Sequence, residues 1–301
     1  MPVDRIGLGL AALGRPAYIN LGREDALPRD RTVDAMRRAC WQVLDAAYGR
    51  GVRWVDAARS YGRSEEFLAG WLADREITDV TVSSKWGYAY VADWRPDAEV
   101  HEVKEHSLAR FTDQWAQTRA LLGKQVSYYQ VHSLTPDSPL FTDRALLEAL
   151  AALAESGVRV GFSTSGPAQA ETVDRALALD VFTVVQSTWN VLEPSAGPAL
   201  KQAHDAGAHV LLKETVANGR LIANPPARIA ELAKRHSVGP DAIAIAAALA
   251  QPWADTVLSG AASTTQLDAN LRALDVVLDG LEDFAEPATE YWATRSRLAW
   301  N

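Results

Sequence analysis

Short β-rich runs alternate with longer segments of helical spacing along the chain. Runs rich in Val, Ile and Leu fall at residues 5–10, 52–56, 80–85, 126–132, 158–164, 183–187, 209–213 and 256–259. Most lack a clean apolar–polar alternation, which is how strands covered on both faces read. The segments between them carry helix signals. Thr32 is placed as the N-cap of a helix reaching about Tyr48, and Gly49 and Gly51 stop it. Ser64, followed by Glu66 and Phe67, reads as the cap of the next. Later helices are expected at 103–122, 143–154, 167–178, 196–206, 241–250 and 265–274, several ending at a glycine (Gly123, Gly157, Gly207).

Eight strand-then-helix units predict an α/β chain folded as one domain over 1–301, a closed (β/α)8 or TIM barrel. A doubly wound sheet would want a glycine-rich first turn opening a helix. The first strand is instead followed by Gly9-Leu10-Ala11-Ala12-Leu13-Gly14, without G-x-G-x-x-G spacing. No linker, low-complexity tract or charge block interrupts the pattern. Residues after about Leu278 read as a C-terminal extension, with Trp292 and Trp300 available to pack on the barrel or a partner.

Composition narrows the chemistry. The formal net charge of -8 argues against a nucleic-acid face. Cys40 is the single cysteine, so the chain can form no internal disulfide and no cysteine-based metal cluster. It reads as a small buried helix residue. The six histidines include no HExxH pair, and a zinc site is not expected. The N-terminus lacks the layout of a secretion signal. The longest strongly apolar stretch, 242–250, is far short of the roughly 20 residues that span a bilayer. The expected location is the cytoplasm, with no membrane partner.

Barrel active sites form at the C-terminal ends of the strands. The second predicted strand ends at Asp56, the third in Ser83-Ser84-Lys85, the fourth at His132, and Tyr61 follows the second. Any one alone is as well explained by an ion pair or a helix cap. Together they fit proton delivery to a carbonyl oxygen as a hydride arrives. A free tyrosine has a pKa of about 10 and is a poor acid near neutrality. A neighbouring ammonium lowers that value. Tyr61 is therefore the candidate general acid, Lys85 its tuner, Asp56 the lysine's partner, and His132 an orienter or proton relay.

The run Asp56-Ala57-Ala58-Arg59-Ser60-Tyr61-Gly62-Arg63-Ser64-Glu65 resembles the aldo-keto reductase motif, an aspartate and a tyrosine five apart followed by Gly-x-Ser-Glu. Lys85 and His132 are similar to the family's other two catalytic positions. The resemblance covers Ile6 to about Leu274. It implies a (β/α)8 reductase of a small-molecule carbonyl, binding NADPH, less often NADH, without a Rossmann domain. It also implies cofactor positions. Ser163 and Thr164 end the fifth strand, where the family usually has Ser-Asn holding the carboxamide. Gln186 matches the carboxamide position on the sixth strand. Lys213 falls near the position of a ring-stacking aromatic, followed by Glu214-Thr215-Val216-Ala217-Asn218-Gly219. A lysine cannot π-stack, so the ring would be held by its aliphatic stem, by Trp189, or differently. Ser263, Gln266 and Asn270 lie in a run, 259–270, that resembles the loop and helix start holding the adenosine end. A helix start suits a phosphate. An ordinary capped helix accounts for the same Ser/Thr cluster, and the run has no Arg or Lys for a 2′-phosphate.

Many family members close the barrel bottom with a hairpin. Only Met1 to Arg5 precede the first strand here, so other side chains are expected to fill that end. The loop after Lys85 is aromatic, with Trp86, Tyr88, Tyr90 and Trp94. Trp86 and Tyr88 are the expected substrate wall, suiting a carbonyl of apolar or ring character. Two alternatives stay open: a cofactor-binding regulatory protein on the same fold with little turnover, and a lyase or isomerase using Lys85 as a Schiff-base nucleophile.

Overall fold

The computed structural model describes residues 1–22, 26–278 and 284–301. Eight parallel strands close a barrel: β1 (Ile6–Gly9), β2 (Trp54–Asp56), β3 (Thr81–Trp86), β6 (Val126–Leu134), β7 (Arg159–Thr164), β8 (Val184–Thr188), β9 (His209–Lys213) and β10 (Thr256–Ser259). Each lies where an apolar run predicts it. β1 pairs with both β10 and β2, which closes the ring. Helices α1 (Val33–Gly49), α2 (Ser64–Asp74), α3 (Leu108–Leu122), α4 (Arg144–Glu155), α5 (Gln169–Leu177), α6 (Gly197–Asp205), α7 (Arg220–Ala223), α8 (Ala227–His236), α9 (Pro240–Leu249), α10 (Thr264–Leu271) and α11 (Ala288–Ser296) cover or cap it. No helix among the described residues is long and apolar enough to cross a membrane.

The helix ends follow their side chains. Thr32 accepts from the Ala35 amide at 3.3 Å, and Asp143 caps α4 through the Leu146 amide at 3.0 Å. Ser64 is not a cap. It lies inside α2, and its hydroxyl donates to the Ala58 carbonyl at 3.1 Å. The helix expected from 103 starts later, at Leu108. Residues before it form β5 (Glu102–Lys104), paired antiparallel with β4 (Tyr88–Tyr90) as a hairpin beside the barrel mouth. Two further helices, α7 and α8, stand between β9 and α9.

Aromatic rings fill the barrel bottom. Trp54, at the start of β2, stacks on His209, at the start of β9, with centroids 4.9 Å apart and planes 4° from parallel. Tyr128 packs on Trp54 at 4.5 Å, and its hydroxyl accepts from Arg159 at 3.0 Å. Val184, Leu211 and Leu258 complete this cluster, which is separate from the larger core between strands and helices. Arg5, in the turn before β1, donates to the carbonyls of Leu249, Gln251 and Ala254. The expected side-chain plug is thus built from strand starts. Removing Trp54 leaves a hole that its rigid neighbours cannot fill. Trp54→Ala should cost about 3–5 kcal/mol in urea unfolding; a loss below about 1 kcal/mol would show that the bottom is not packed as described.

Candidate active site

The parity of β2 and β3 turns Asp56 and Lys85 into the barrel. Both are buried, Lys85 completely. The Lys85 ammonium donates to Asp56 Oδ2 and to the Ala57 carbonyl at 3.0 Å. Asp56 Oδ1 accepts from Ser83 Oγ at 2.9 Å and Gln186 Nε2 at 3.2 Å, and Gln130 Nε2 donates to Ser83 Oγ at 2.7 Å. The carboxylate is therefore surrounded by donors, the condition under which a buried ion pair persists.

Tyr61 and His132 sit above this pair. Their rings meet edge-to-face at 5.3 Å, and the Lys85 ammonium is 4.8 Å from the Tyr61 ring centroid. The His132 Nδ1 faces Ser60 Oγ at 3.2 Å, and Tyr88 packs on its ring at 5.1 Å. Burial, then the charges of Lys85 and Arg15, hold the imidazole well below its ordinary pKa, so it is neutral. Burial also pulls Lys85 down from the usual lysine range, with Asp56 opposing. Burial and the Asp56 carboxylate push the Tyr61 phenol well above 10, and Arg15 is the cation that opposes the rise. Lys85, expected to tune the phenol, is itself bound directly to Asp56.

These residues open onto a cavity of about 430 Å³. From Asp56, Tyr61 and His132 it runs past Gln186, Lys213 and Asn218 to Gln266 and Asn270 on α10. Tyr88 lines it as expected, and Trp86 does not. Trp86 follows an inward lysine in the strand, so it points outward and packs on Phe111 of α3 at 5.1 Å, fully buried. Parity moves Thr164 likewise. Ser163 pairs in register with the inward Gln186, and its hydroxyl accepts from the Ser133 amide at 2.8 Å. Thr164 bonds outward to Gln169 and Ser187, at 3.0 and 2.6 Å, and is absent from the cavity wall. Ser263 caps α10 through the Gln266 amide at 3.2 Å, and Asn270 shares a hydrogen bond with Ser259 at 2.8 Å.

Several wall residues carry no motif. Arg15 and Tyr18, in the loop after β1, and Glu102 of β5 line the cavity with Trp300, Arg295 and Glu214. Asn218, in the left-handed region at φ 54°, presents a buried Oδ1 without a hydrogen-bond partner. Position after a strand on the catalytic face was the signal available for Arg15, Tyr18 and Asn218. For Trp300 and Arg295 there was none beyond the extension itself.

That extension is part of the site. Tyr18 and Asn301 exchange backbone hydrogen bonds at 3.1 and 3.3 Å, and Trp300 stacks on His101 at 4.1 Å. The Tyr291 hydroxyl accepts from Asn190 at 2.9 Å. Arg295 of α11 grips Glu214 through Nε at 2.9 and 3.0 Å and through a third, shorter contact. Lys213 donates to Thr188 at 2.7 Å and stands 4.0 Å from Glu214. Burial alone would raise Glu214, but Arg295 and Lys213 outweigh it and bring the carboxyl to about 2. Burial brings Lys213 down to about 8, against the pull of Glu214.

The model of the Aldo/keto reductase family matches residues 5–285. The chain belongs to the aldo/keto reductase family. Its members act on carbonyls or the corresponding alcohols as oxidoreductases with nicotinamide cofactors. Among solved structures, the glycerol dehydrogenase of Gluconobacter oxydans is 19% identical, covers 99% of this chain and 92% of its own, and superposes with a TM-score of 0.69. A holo aldo-keto reductase from Bacillus halodurans is 20% identical, with coverage of 98% and 92% and a TM-score of 0.67. At such identities the likeness shows the shared barrel. No curated protein matches the sequence.

The Arg295–Glu214 contact gives this reductase-family barrel an acid-sensitive tie. The Glu214 pKa is lowered on folding from 4.5 to about 2. Its stabilisation is complete above pH about 4.5 and is lost as pH falls toward about 2. Arg295→Met should cost about 3 kcal/mol at pH 7, because a buried carboxylate loses its main partner, and should raise the midpoint of acid unfolding followed by circular dichroism. An unchanged midpoint would mean that the contact does not hold α11.

Proposed function

We propose that the chain reduces an aldehyde or ketone to the alcohol, with Tyr61 as general acid. The observation that carries this reading is the grouping of Tyr61 and His132 over the Lys85–Asp56 pair at one end of an elongated cavity. The cavity's form suits a long polar cofactor. The unpartnered Asn218 Oδ1 is a buried acceptor awaiting a donor, and Gln266 and Asn270 supply amides at the far end. Gln186, Lys213, Asn218, Gln266 and Asn270 would hold the cofactor, with Ser163 and Ser263 supporting the loops behind it. A nicotinamide supplies hydride to the carbonyl carbon when bound. NADPH is the cofactor we infer from the family, with NADH also accepted, since 259–270 carries no Arg or Lys.

The chain's own residues handle the proton. The Tyr61 phenol is held protonated by burial and by Asp56, so a proton is available for the carbonyl oxygen as charge develops on it. His132, neutral, can offer one hydrogen bond to the same oxygen and set its direction. The Lys85 ammonium lies 4.8 Å from the phenol ring centroid and the Arg15 guanidinium 5.0 Å from it; these cations favour the phenolate left behind, while the Asp56 carboxylate opposes it. The proton returns to Tyr61 from solvent, so each turnover consumes one hydride and one proton. Tyr18, Tyr88 and Trp300 favour a substrate with apolar or ring character. A cytoplasmic enzyme acting on small molecules is the reading that fits.

Tyr61→Phe removes the proton donor and little else. It should lower kcat/KM for reduction by about 10²–10⁴-fold while the cofactor dissociation constant stays within about twofold. A variant turning over like wild type would remove Tyr61 from this role.

A further inference from the structure

Arg15 is 1% exposed, and its guanidinium lies among three aromatic rings, 4.5 Å from the centroid of Tyr18, 5.0 Å from Tyr61 and 4.9 Å from Trp300. It is fixed by the carbonyls of Ala11 at 3.1 Å and Ser60 at 3.2 Å, and by Glu102 at 2.7 Å. Ser60 immediately precedes Tyr61, so the same group touches the phenol's face and its backbone. The two loops are also pressed together. The Arg63 amide donates to the Gly14 carbonyl at 2.7 Å. A Cβ on Gly14 would stand 2.2 Å from the Tyr61 carbonyl, and one on Gly62, at φ 59°, 2.4 Å from the Gly14 carbonyl.

We propose that Arg15 is a positioning residue for Tyr61, setting the orientation and the acidity of the phenol, with Glu102 as the counter-charge that limits its effect. The inference deepens the proposed function and rests on Tyr61 being the proton-transfer group. The phenol is faced by Asp56 from β2, Lys85 from β3, His132 from β6, Glu214 from after β9, and Arg15 with Glu102. Asp56 pushes the phenol toward its protonated form even with Lys85 bound to it. Arg15 is the cation that counteracts the upward push on the phenol, and Glu102 adds to that push. The two members of one ion pair therefore act on Tyr61 with opposite signs, which separates an electrostatic role from a packing role.

The test is alcohol oxidation, using the product of the wild-type reduction, with kcat/KM measured against pH. In that direction Tyr61 must first lose its proton, so at any pH below its pKa the rate follows the ionised fraction. An opposite charge at this range shifts a pKa by about one unit. Arg15→Met should therefore lower kcat/KM about tenfold at fixed pH, and Arg15→Lys should restore most of it. Glu102→Gln should raise it several-fold, and cofactor binding should not change in any of the three. If both charge-removing variants fall together, or cofactor affinity falls with the rate, Arg15 is a packing residue and the proposal is overturned. Glu102→Gln decides alone if Arg15→Met does not fold. A wild type without turnover in either direction would instead remove the proposed function, and this inference with it.

Discussion

The Lys85–Asp56 contact organises the catalytic end of the barrel. Two unit charges removed from water cost several kcal/mol each unless every remaining hydrogen-bonding position is filled. Ser83, Gln186 and the Ala57 carbonyl fill them, and Gln130 holds Ser83 in turn. Those partners come from β3, β6 and β8 and from the end of β2, so satisfying one ion pair ties half the barrel together at the level where Tyr61 and His132 sit. The pair is a support for the chemistry as much as a part of it.

Around that centre, charge is placed in pairs of unequal strength. Arg295 holds Glu214 more closely than Lys213 does, and burial brings the half-buried Lys213 down to about 8. Arg15 shares Glu102 but presses on Tyr61. Both arrangements depend on the C-terminal segment, since α11 brings Arg295 and the tail brings Trp300. The extension is a wall of the cavity, joined to the first loop by the Tyr18–Asn301 hydrogen bonds.

The barrel was legible because strands covered on both faces must be apolar runs, and eight such runs leave little choice of fold. The four central residues were legible because each sits at the C-terminal end of a strand or just after it. Parity explains two misplacements. With Lys85 and Ser163 inward, Trp86 and Thr164 must face outward; a loop reading hides this for Trp86, and matching Thr164 to a family position without regard to strand parity hides it there. The hairpin at Tyr88–Tyr90 and Glu102–Lys104 was missed because Val103 to Leu122 reads as one helical pattern. Glu102 and Arg295 were illegible for another reason: their roles come from contacts between segments far apart in the chain, and no local pattern marks them, whereas Arg15 carried only its position after the first strand.

The central claim is that a hydride and a proton meet at a carbonyl between Tyr61 and the nicotinamide. The most direct measurement uses reduced cofactor deuterated at both positions of its reactive ring carbon, mixed with the protein and a panel of aliphatic and aromatic aldehydes, and analyses the products by mass spectrometry. The account predicts alcohols carrying one deuterium on the former carbonyl carbon. Saturable cofactor binding, seen as quenching of tryptophan fluorescence through Trp300 at the cavity wall, with no deuterium in any product would contradict it.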